Sequence, residues 1–254
     1  MKLIERYGYR ILREVVTETG CEQIGREITS VLDANAEDRV ENREGSVVGG
    51  RNLIEHESLW IGWIEDIRIS RMIREYVGTN ACVVRVLYFD KPPGQGWALS
   101  LHRDRTIAVH EHHDPPAPFA KPTRKAGVAH VEATDDVLSR MLTLRLHLDP
   151  MKADNGALFV VPRSHVIPSI ASDDRGEEME IEAIVEEQPQ TIFCRAGDVF
   201  AMRPLLSHGS HATDPKTRLR RRVLHLEIAP EDILPSPYRW HTAKLLHLSD
   251  AAPE

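Results

Sequence analysis

The sequence predicts a mainly β protein with buttressing helices, a double-stranded β-helix (jelly roll, cupin-like), on three observations. Eight short segments rich in β-branched and aromatic residues follow residue 81. Helical periodicity is confined to the residues before it, and the helix-strand alternation of a parallel α/β sheet is absent. Two facing sheets enclose a pocket, and helices at the front of the chain can cover one outer face.

In chain order, Ile24, Ile28, Val31 and Leu32 recur at helical spacing, and Ile67, Met72, Ile73 and Val77 predict a further helix ended by Gly78. Glu41 to Gly50 reads as a polar loop between them. ACVVRVLYF, from Ala81, is the first predicted strand and is closed by the turn cluster PPGQG. LHRDRTIAV, MLTLRLHLD, ALFVV, QTIFC, DVFAMR, LLSHGS and RRVLHLEIA complete the eight. In MLTLRLHLD the residues Leu142, Leu144, Leu146 and Leu148 share one face, while Thr143, Arg145, His147 and Asp149 share the other. The last strand divides in the same way, with Leu224, Leu226 and Ile228 against Arg221, Val223, His225 and Glu227. The polar faces are expected to line the pocket. Two long insertions, Pro115 to Lys125 and Ser169 to Glu187, are expected to form lids or mobile rims.

A chain of 254 residues is near the upper limit for one hydrophobic core, and no low-complexity linker divides it. One domain over 1–254 is therefore expected, with mainly helical support over 1–80, a jelly-roll core over 81–229 and a C-terminal extension over 230–254. The 39 acids and 32 bases are interspersed and leave a net charge of -7, so no overall positive field exists to gather nucleic acid or an anionic membrane. Charges interrupt MKLIERYGYRILREVV, which is neither signal peptide nor membrane span, and a cytoplasmic location is expected. Cys21, Cys82 and Cys194 are widely spaced and odd in number, which argues against disulfides or a thiolate metal site. No heptad is visible, and a monomer and a homodimer fit equally well.

Thirteen histidines are the unusual feature of the composition. A histidine and a carboxylate two apart on a strand point to one face, so such a step grips a metal from one side while a distant histidine completes the set. Three steps occur: His102-Arg103-Asp104, His112-His113-Asp114 and His147-Leu148-Asp149. The second lies in HEHHDPP, polar on every face and running into prolines, and reads as a solvated loop. The third, at a strand end, is the second choice as a metal pair. The first follows the PPGQG turn at the start of the second predicted strand. In a jelly roll the second and seventh strands are antiparallel neighbours, which brings His208 of LLSHGS to His102 and Asp104. Two imidazoles and one carboxylate on one face of an octahedron bind Fe(II) and leave three positions open, two for a keto acid and one for O2. The keto acid needs a guanidinium for its far carboxylate, and strand alternation selects Arg221 from Arg220, Arg221 and Arg222.

WALSLHRDRTIAV, RLHLDPMKADNGALFVVPRSH, AGDVFAMRPLLSHGS and RRRVLHLEIA together resemble the phytanoyl-CoA dioxygenase superfamily, as do YGYRILREVV, RNL at Arg51 to Leu53 and FDK at Phe89 to Lys91. The resemblance runs from about Tyr7 to Ala229. It implies a non-haem Fe(II)- and 2-oxoglutarate-dependent dioxygenase that hydroxylates a small-molecule substrate and releases succinate and CO2. Carried over, His102, Asp104 and His208 match the iron ligands, Arg221 matches the arginine for the 2-oxoglutarate C5 carboxylate, and Ser210 is a further cosubstrate contact. Thr143, Arg145 and Lys91 are expected to line the same pocket. Halogenating relatives replace the carboxylate, so Asp104 favours hydroxylation, or less often desaturation. Leu101 and Arg103 stand where relatives usually carry Trp and Gln, which bears on substrate choice. The alternatives are a cupin-like metalloprotein or a small-molecule binding protein without 2-oxoglutarate turnover.

Overall fold

The structure is a computed structural model and describes residues 3–167 and 188–248. The chain opens with helix α1 (Leu3–Tyr7), strand β1 (Tyr9–Leu12), helix α2 (Glu18–Ala34), strands β2 (Arg39–Glu41) and β3 (Val47–Gly50), and helices α3 (Ile61–Ile64) and α4 (Ile67–Tyr76). The strands β4 (Ala81–Lys91), β5 (Leu99–His102), β6 (Thr106–Val109), β7 (Ala120–Lys125) and β8 (Val128–Glu132) follow, then helix α5 (Asp135–Ser139). Last come β9 (Leu142–His147), β10 (Leu158–Val160), β11 (Gln190–Thr191), β12 (Val199–Met202), β13 (His208–Ser210), β14 (Arg221–Pro230) and β15 (Lys244–Leu245).

The principal sheet has the order β1-β12-β9-β14-β4-β3-β2, with β15 also paired to β4. A second sheet has the order β11-β10-β13-β5, and a third, β6-β8-β7, continues beyond it. The pairings between named strands are antiparallel, which is the double-stranded β-helix that the pattern of short strands predicted. The helices cover one face of the principal sheet because that face is apolar. Cys21, Ile28 and Leu32 of α2 and Ile69, Met72 and Ile73 of α4 join Leu142, Leu144, Leu146, Leu224, Leu226 and Ile228 in one buried cluster. Removing this much apolar surface from water is the main force holding helices to sheet. Thr17 caps α2 by accepting the Gly20 N–H at 3.1 Å, and Gly78, at φ +113°, ends α4 as its sequence position predicted.

Several strands escaped the sequence reading. LHRDRTIAV is not one strand: it breaks at Arg103 to Arg105 into β5 and β6, which belong to different sheets. The supposed polar loop from Glu41 to Gly50 is largely a hairpin, in which the Asn42 side-chain oxygen accepts the Glu44 and Ser46 N–H groups and returns the chain into β3. The second half of the Pro115 to Lys125 insertion is β7, paired with β8 rather than free to act as a lid. Its solvent-facing polar residues gave no apolar alternation to read. The other expected lid, Ser169 to Glu187, lies outside the described residues.

Candidate metal centre

The trio forms because β5 and β13 pair antiparallel with His102 directly opposite His208. Adjacent strands bring facing side chains within contact distance, and the two imidazole rings lie 4.4 Å apart between centroids. Asp104 follows just past the end of β5, where its N–H donates to the Pro204 carbonyl at 3.0 Å and fixes the turn. Its carboxylate then lies 3.8 Å from His102 Nε2 and 3.6 Å from His208 Nε2. One donor atom from each of the three residues lies within 4.8 Å of the others, and this is the sole such cluster among the described residues.

Each imidazole is oriented by the backbone two residues before it. His102 Nδ1 donates to the Ser100 carbonyl and His208 Nδ1 to the Leu206 carbonyl, both at 2.8 Å. A carbonyl accepts only, so both Nδ1 atoms carry the proton and both Nε2 lone pairs face the cluster. Burial and the neighbouring His102 push His208 down to about 4, against the upward pull of Asp104, so it is neutral at neutral pH. Burial alone would raise the Asp104 carboxyl, but His208, His225, His102 and Arg145 around it hold it at about 2. Asp104 Oδ2 is buried without a hydrogen-bond partner. Two unprotonated nitrogens and an ionised oxygen with an unmet lone pair are the donor set a divalent metal takes.

The polar faces of β9 and β14 meet the pocket as alternation predicted. Their register sets His147 opposite Val223, Arg145 opposite His225 and Thr143 opposite Glu227. Arg221 opens β14 opposite Lys91 of β4 and is 4 % exposed. Its Nη1 lies 3.6 Å from the Met151 sulfur and its Nε has no partner. Burial and the nearby Arg145 push its pKa down to about 9, which leaves it charged at neutral pH. The flanking arginines are committed elsewhere. Arg220 donates through Nε to Asp90 at 2.8 Å, and Arg222 grips Asp149 with Nε and Nη2, each at 2.8 Å. The second His-x-Asp choice is thereby corrected: Asp149 is the partner of Arg222, while His147 points into the pocket, buried, with neither ring nitrogen partnered. The HEHHDPP step lies outside any strand as expected, His112 Nε2 being held by the Thr123 and His130 carbonyls at 3.0 and 3.1 Å.

Lys91 is fully buried, and its ammonium donates to the Trp97 carbonyl at 2.5 Å, Ser210 Oγ at 2.9 Å and the His211 carbonyl at 2.9 Å. Lys91 and Ser210, both expected as cosubstrate contacts, therefore contact each other, and Lys91 is the β4 residue paired with Arg221. Thr143 Oγ1 and Arg145 Nε are buried without partners, and the Arg145 guanidinium sits 5.4 Å over the Phe89 ring. A pair not singled out as functional lies farther along β14, where Arg85 is bonded to Glu227 and His225 Nε2 lies 3.5 Å from the same carboxylate. Arg85 shares its strand face with Leu87, Phe89 and Lys91, so parity along β4 was the signal that pointed to it.

A family model for phytanoyl-CoA dioxygenase matches residues 4–221. No curated protein matches the chain. Among solved structures, EctD from S. alaskensis, determined with 2-oxoglutarate and 5-hydroxyectoine, superposes with a TM-score of 0.65 at 16% identity over 90% of this chain and 74% of its own. The non-haem α-ketoglutarate-dependent epimerase SnoN from nogalamycin biosynthesis superposes with a TM-score of 0.61 at 18% identity over 90% of this chain and 79% of its own. EvdMO1 superposes at 0.61 with 19% identity over 89% of this chain, which spans only 48% of the length of EvdMO1. These likenesses establish the fold, and the match over most of its length establishes that the chain belongs to the phytanoyl-CoA dioxygenase family.

Proposed function

We propose that this protein is an iron- and 2-oxoglutarate-dependent oxygenase that hydroxylates a C–H bond of a small molecule, with His102, Asp104 and His208 as the metal ligands and Arg221 as the anchor for the cosubstrate C5 carboxylate. The observation that carries the reading is the trio itself: two preset Nε2 lone pairs and one unpartnered carboxylate oxygen face a common point. The buried, unsatisfied Arg221 Nε in the same pocket supports a carboxylate-bearing cosubstrate, because an unpaired buried cation is costly unless a ligand completes it. EctD, a neighbour in fold, has been solved with bound Fe as well as with 2-oxoglutarate.

When bound, Fe(II) and 2-oxoglutarate supply the oxidising chemistry, with O2 and the keto acid consumed and succinate and CO2 released. The protein's own residues orient and exclude. The Ser100 and Leu206 carbonyls hold both imidazoles in the metal-binding tautomer. The Arg221 fork, isolated from Arg220 and Arg222 by their ion pairs, offers two parallel donors to one carboxylate. Lys91 and Ser210 back that anchor, Arg145 lines the wall beside the trio, and Thr143 lies on the same face beyond it, opposite Glu227. Phe89, Phe200 and Met202 share this inner face and keep it poor in water.

Strands from the start, middle and end of the described chain, from β1 through β4 and β9 to β15, share the principal sheet, which supports reading residues 1–254 as one domain. Among the described residues no helix is long and apolar enough to cross a membrane. The net charge of -7 supports a protein that binds neither nucleic acid nor an anionic membrane.

Anaerobic titration with Fe(II) and 2-oxoglutarate, followed through the weak visible charge-transfer band, tests the assignment, and succinate formation in air tests turnover. The wild type gives both, and His208→Ala loses the band. A band unchanged in that variant refutes the ligand set, and metal binding without succinate leaves the cupin-like metalloprotein or binding protein.

A further inference from the structure

The inner face of β14 gives the pocket an axis. Arg221 opens the strand and Glu227 lies near its other end, on the order of 20 Å along an extended chain. His225 lies between them, opposite Arg145, and both bear electrostatically on Asp104. The metal trio is thus flanked by two polar ends, of which 2-oxoglutarate binding engages only the Arg221 end.

At the Glu227 end, cationic side chains from separate parts of the chain converge. Arg51 follows β3, Arg85 comes from β4, Lys125 ends β7 and His130 lies on β8. Arg51, Arg85 and His130 line one cleft whose apolar walls are Leu87, Ala108 and Val128. Glu227 is already bonded to Arg85. The Arg51 guanidinium and the Lys125 ammonium have no side-chain hydrogen bond or ion pair among the described residues, and both groups are only partly exposed. His130 is 4 % exposed, and its Nδ1 is committed to the Val128 carbonyl at 3.0 Å. Arg51 and Arg85 therefore line a partly desolvated cleft, and Lys125 lies within their electrostatic reach on the adjoining segment, where Asn52 Nδ2 donates to the Ala126 carbonyl at 3.3 Å.

The electrostatics agree with the geometry. Burial, followed by Arg85, pushes Arg51 down, and no carboxylate offsets it. Burial, Arg85 and Arg51 push Lys125 down, with Glu227 and Asp104 pulling the other way, so this cluster shares a field with the proposed metal ligand. Burial, Arg85, Lys125 and Arg51 also hold His130 at about 4. A cluster of this kind is strained by its own repulsion until an anion enters it.

We propose that the substrate of this oxygenase carries an oxyanion group, a carboxylate or a phosphate, held by Arg51 and Lys125 on the opposite side of the metal trio from Arg221. The proposal rests on the oxygenase reading for the word substrate, but the anion site itself does not depend on turnover. Anchoring a charged end in the cleft leaves the rest of the molecule to extend over the trio, so the charge selects the substrate and the span selects the bond.

Sulfate and acetate are suitable probes, as a tetrahedral dianion and a planar carboxylate. Each is titrated against chloride at constant ionic strength into Zn(II)-loaded protein with 2-oxoglutarate, and the His130 imidazole resonances are followed. The expected result is a saturable shift with at least one probe, the stronger probe indicating phosphate or carboxylate. Affinity falls about tenfold or more in Arg51→Gln and in Lys125→Gln and recovers in Arg51→Lys. Arg124→Gln, which removes the same charge from the exposed neighbour that donates to the Gly127 carbonyl, leaves it unchanged. No saturable shift overturns the proposal. A shift that survives Arg51→Gln and Lys125→Gln, or that weakens equally in Arg124→Gln, identifies an adventitious ion only and overturns it as well. The two readings fail separately: an Fe(II) and 2-oxoglutarate band without anion binding removes this site, and anion binding without the band removes the oxygenase assignment.

Discussion

Arg221 and Lys91 occupy opposite positions on β14 and β4, yet their burial has different consequences. Arg221→Ala removes a charge-assisted fork and should weaken 2-oxoglutarate binding by roughly 100-fold, about 2.7 kcal/mol, measured by anaerobic titration. Lys91 titrates. Burial first, then Arg221 and Arg145, lower its pKa to about 7, so above that pH the free protein holds it largely neutral. A dianion bound beside it favours the charged form and raises the pKa, so the complex holds more protons than the free protein above neutrality. Affinity for 2-oxoglutarate should therefore decline as pH rises through about 7 and beyond. Near about pH 8, calorimetry in buffers of different ionisation enthalpy should show uptake of up to about one proton per site, absent in Lys91→Met. Affinity independent of pH over this range would remove Lys91 from the anchor's surroundings.

At the scale of elements, the connection into β12 is constrained by packing against the start of α2. Gly197 has φ +82°, and a Cβ there would lie 1.8 Å from the Val16 carbonyl oxygen. Val15 and Val16 both donate their N–H groups to the Gly197 carbonyl, so the two backbones cannot part without losing those bonds. Gly197→Ala should cost at least about 2 kcal/mol, read as a lower midpoint in denaturant. Elements with clean alternation were legible in the sequence, β9 and β14 above all, because four leucines on one face and polar residues on the other allow a single orientation on a sheet. β1, β2 and β3 were not, since each is short and acquires its strand character from its partner, β12 for β1, β3 for β2 and β4 for β3, rather than from its own pattern. β8 is buried at Val128, Ala129, His130 and Val131 and shows no alternation at all. The same distinction governs the site. The convergence of His102, Asp104 and His208 and the buried position of Arg221 were readable from parity and strand order, whereas the approach of Arg51 to Arg85 comes from packing between separate hairpins, for which a local pattern carries no signal.

For the whole molecule, ligand and stability are coupled. Metal and cosubstrate bind a pocket that exists only when both sheets are assembled, so Fe(II) with 2-oxoglutarate at about 100 times the dissociation constant should stabilise the fold by about 2.7 kcal/mol. A raised melting temperature in the wild type, and none in His208→Ala, is the expected thermal result. The charge distribution has a similar global aspect: the chain carries -7 overall while its interior holds Arg145, Arg221 and Lys91, none of which has an ion pair to an acid among the described residues. Anionic ligands therefore meet repulsion at long range and attraction once inside, and added salt should speed their entry by screening the first. The run Arg220, Arg221, Arg222 has an assembly consequence of its own. Displacing β14 by one position would still present a guanidinium to the cavity, but would leave Asp149 facing Val223 or Asp90 facing Leu219 in place of an arginine, according to the direction of the slip. The misthreaded chain would thus carry one stranded acid, so the two outer arginines together penalise a slip in either direction as the barrel closes.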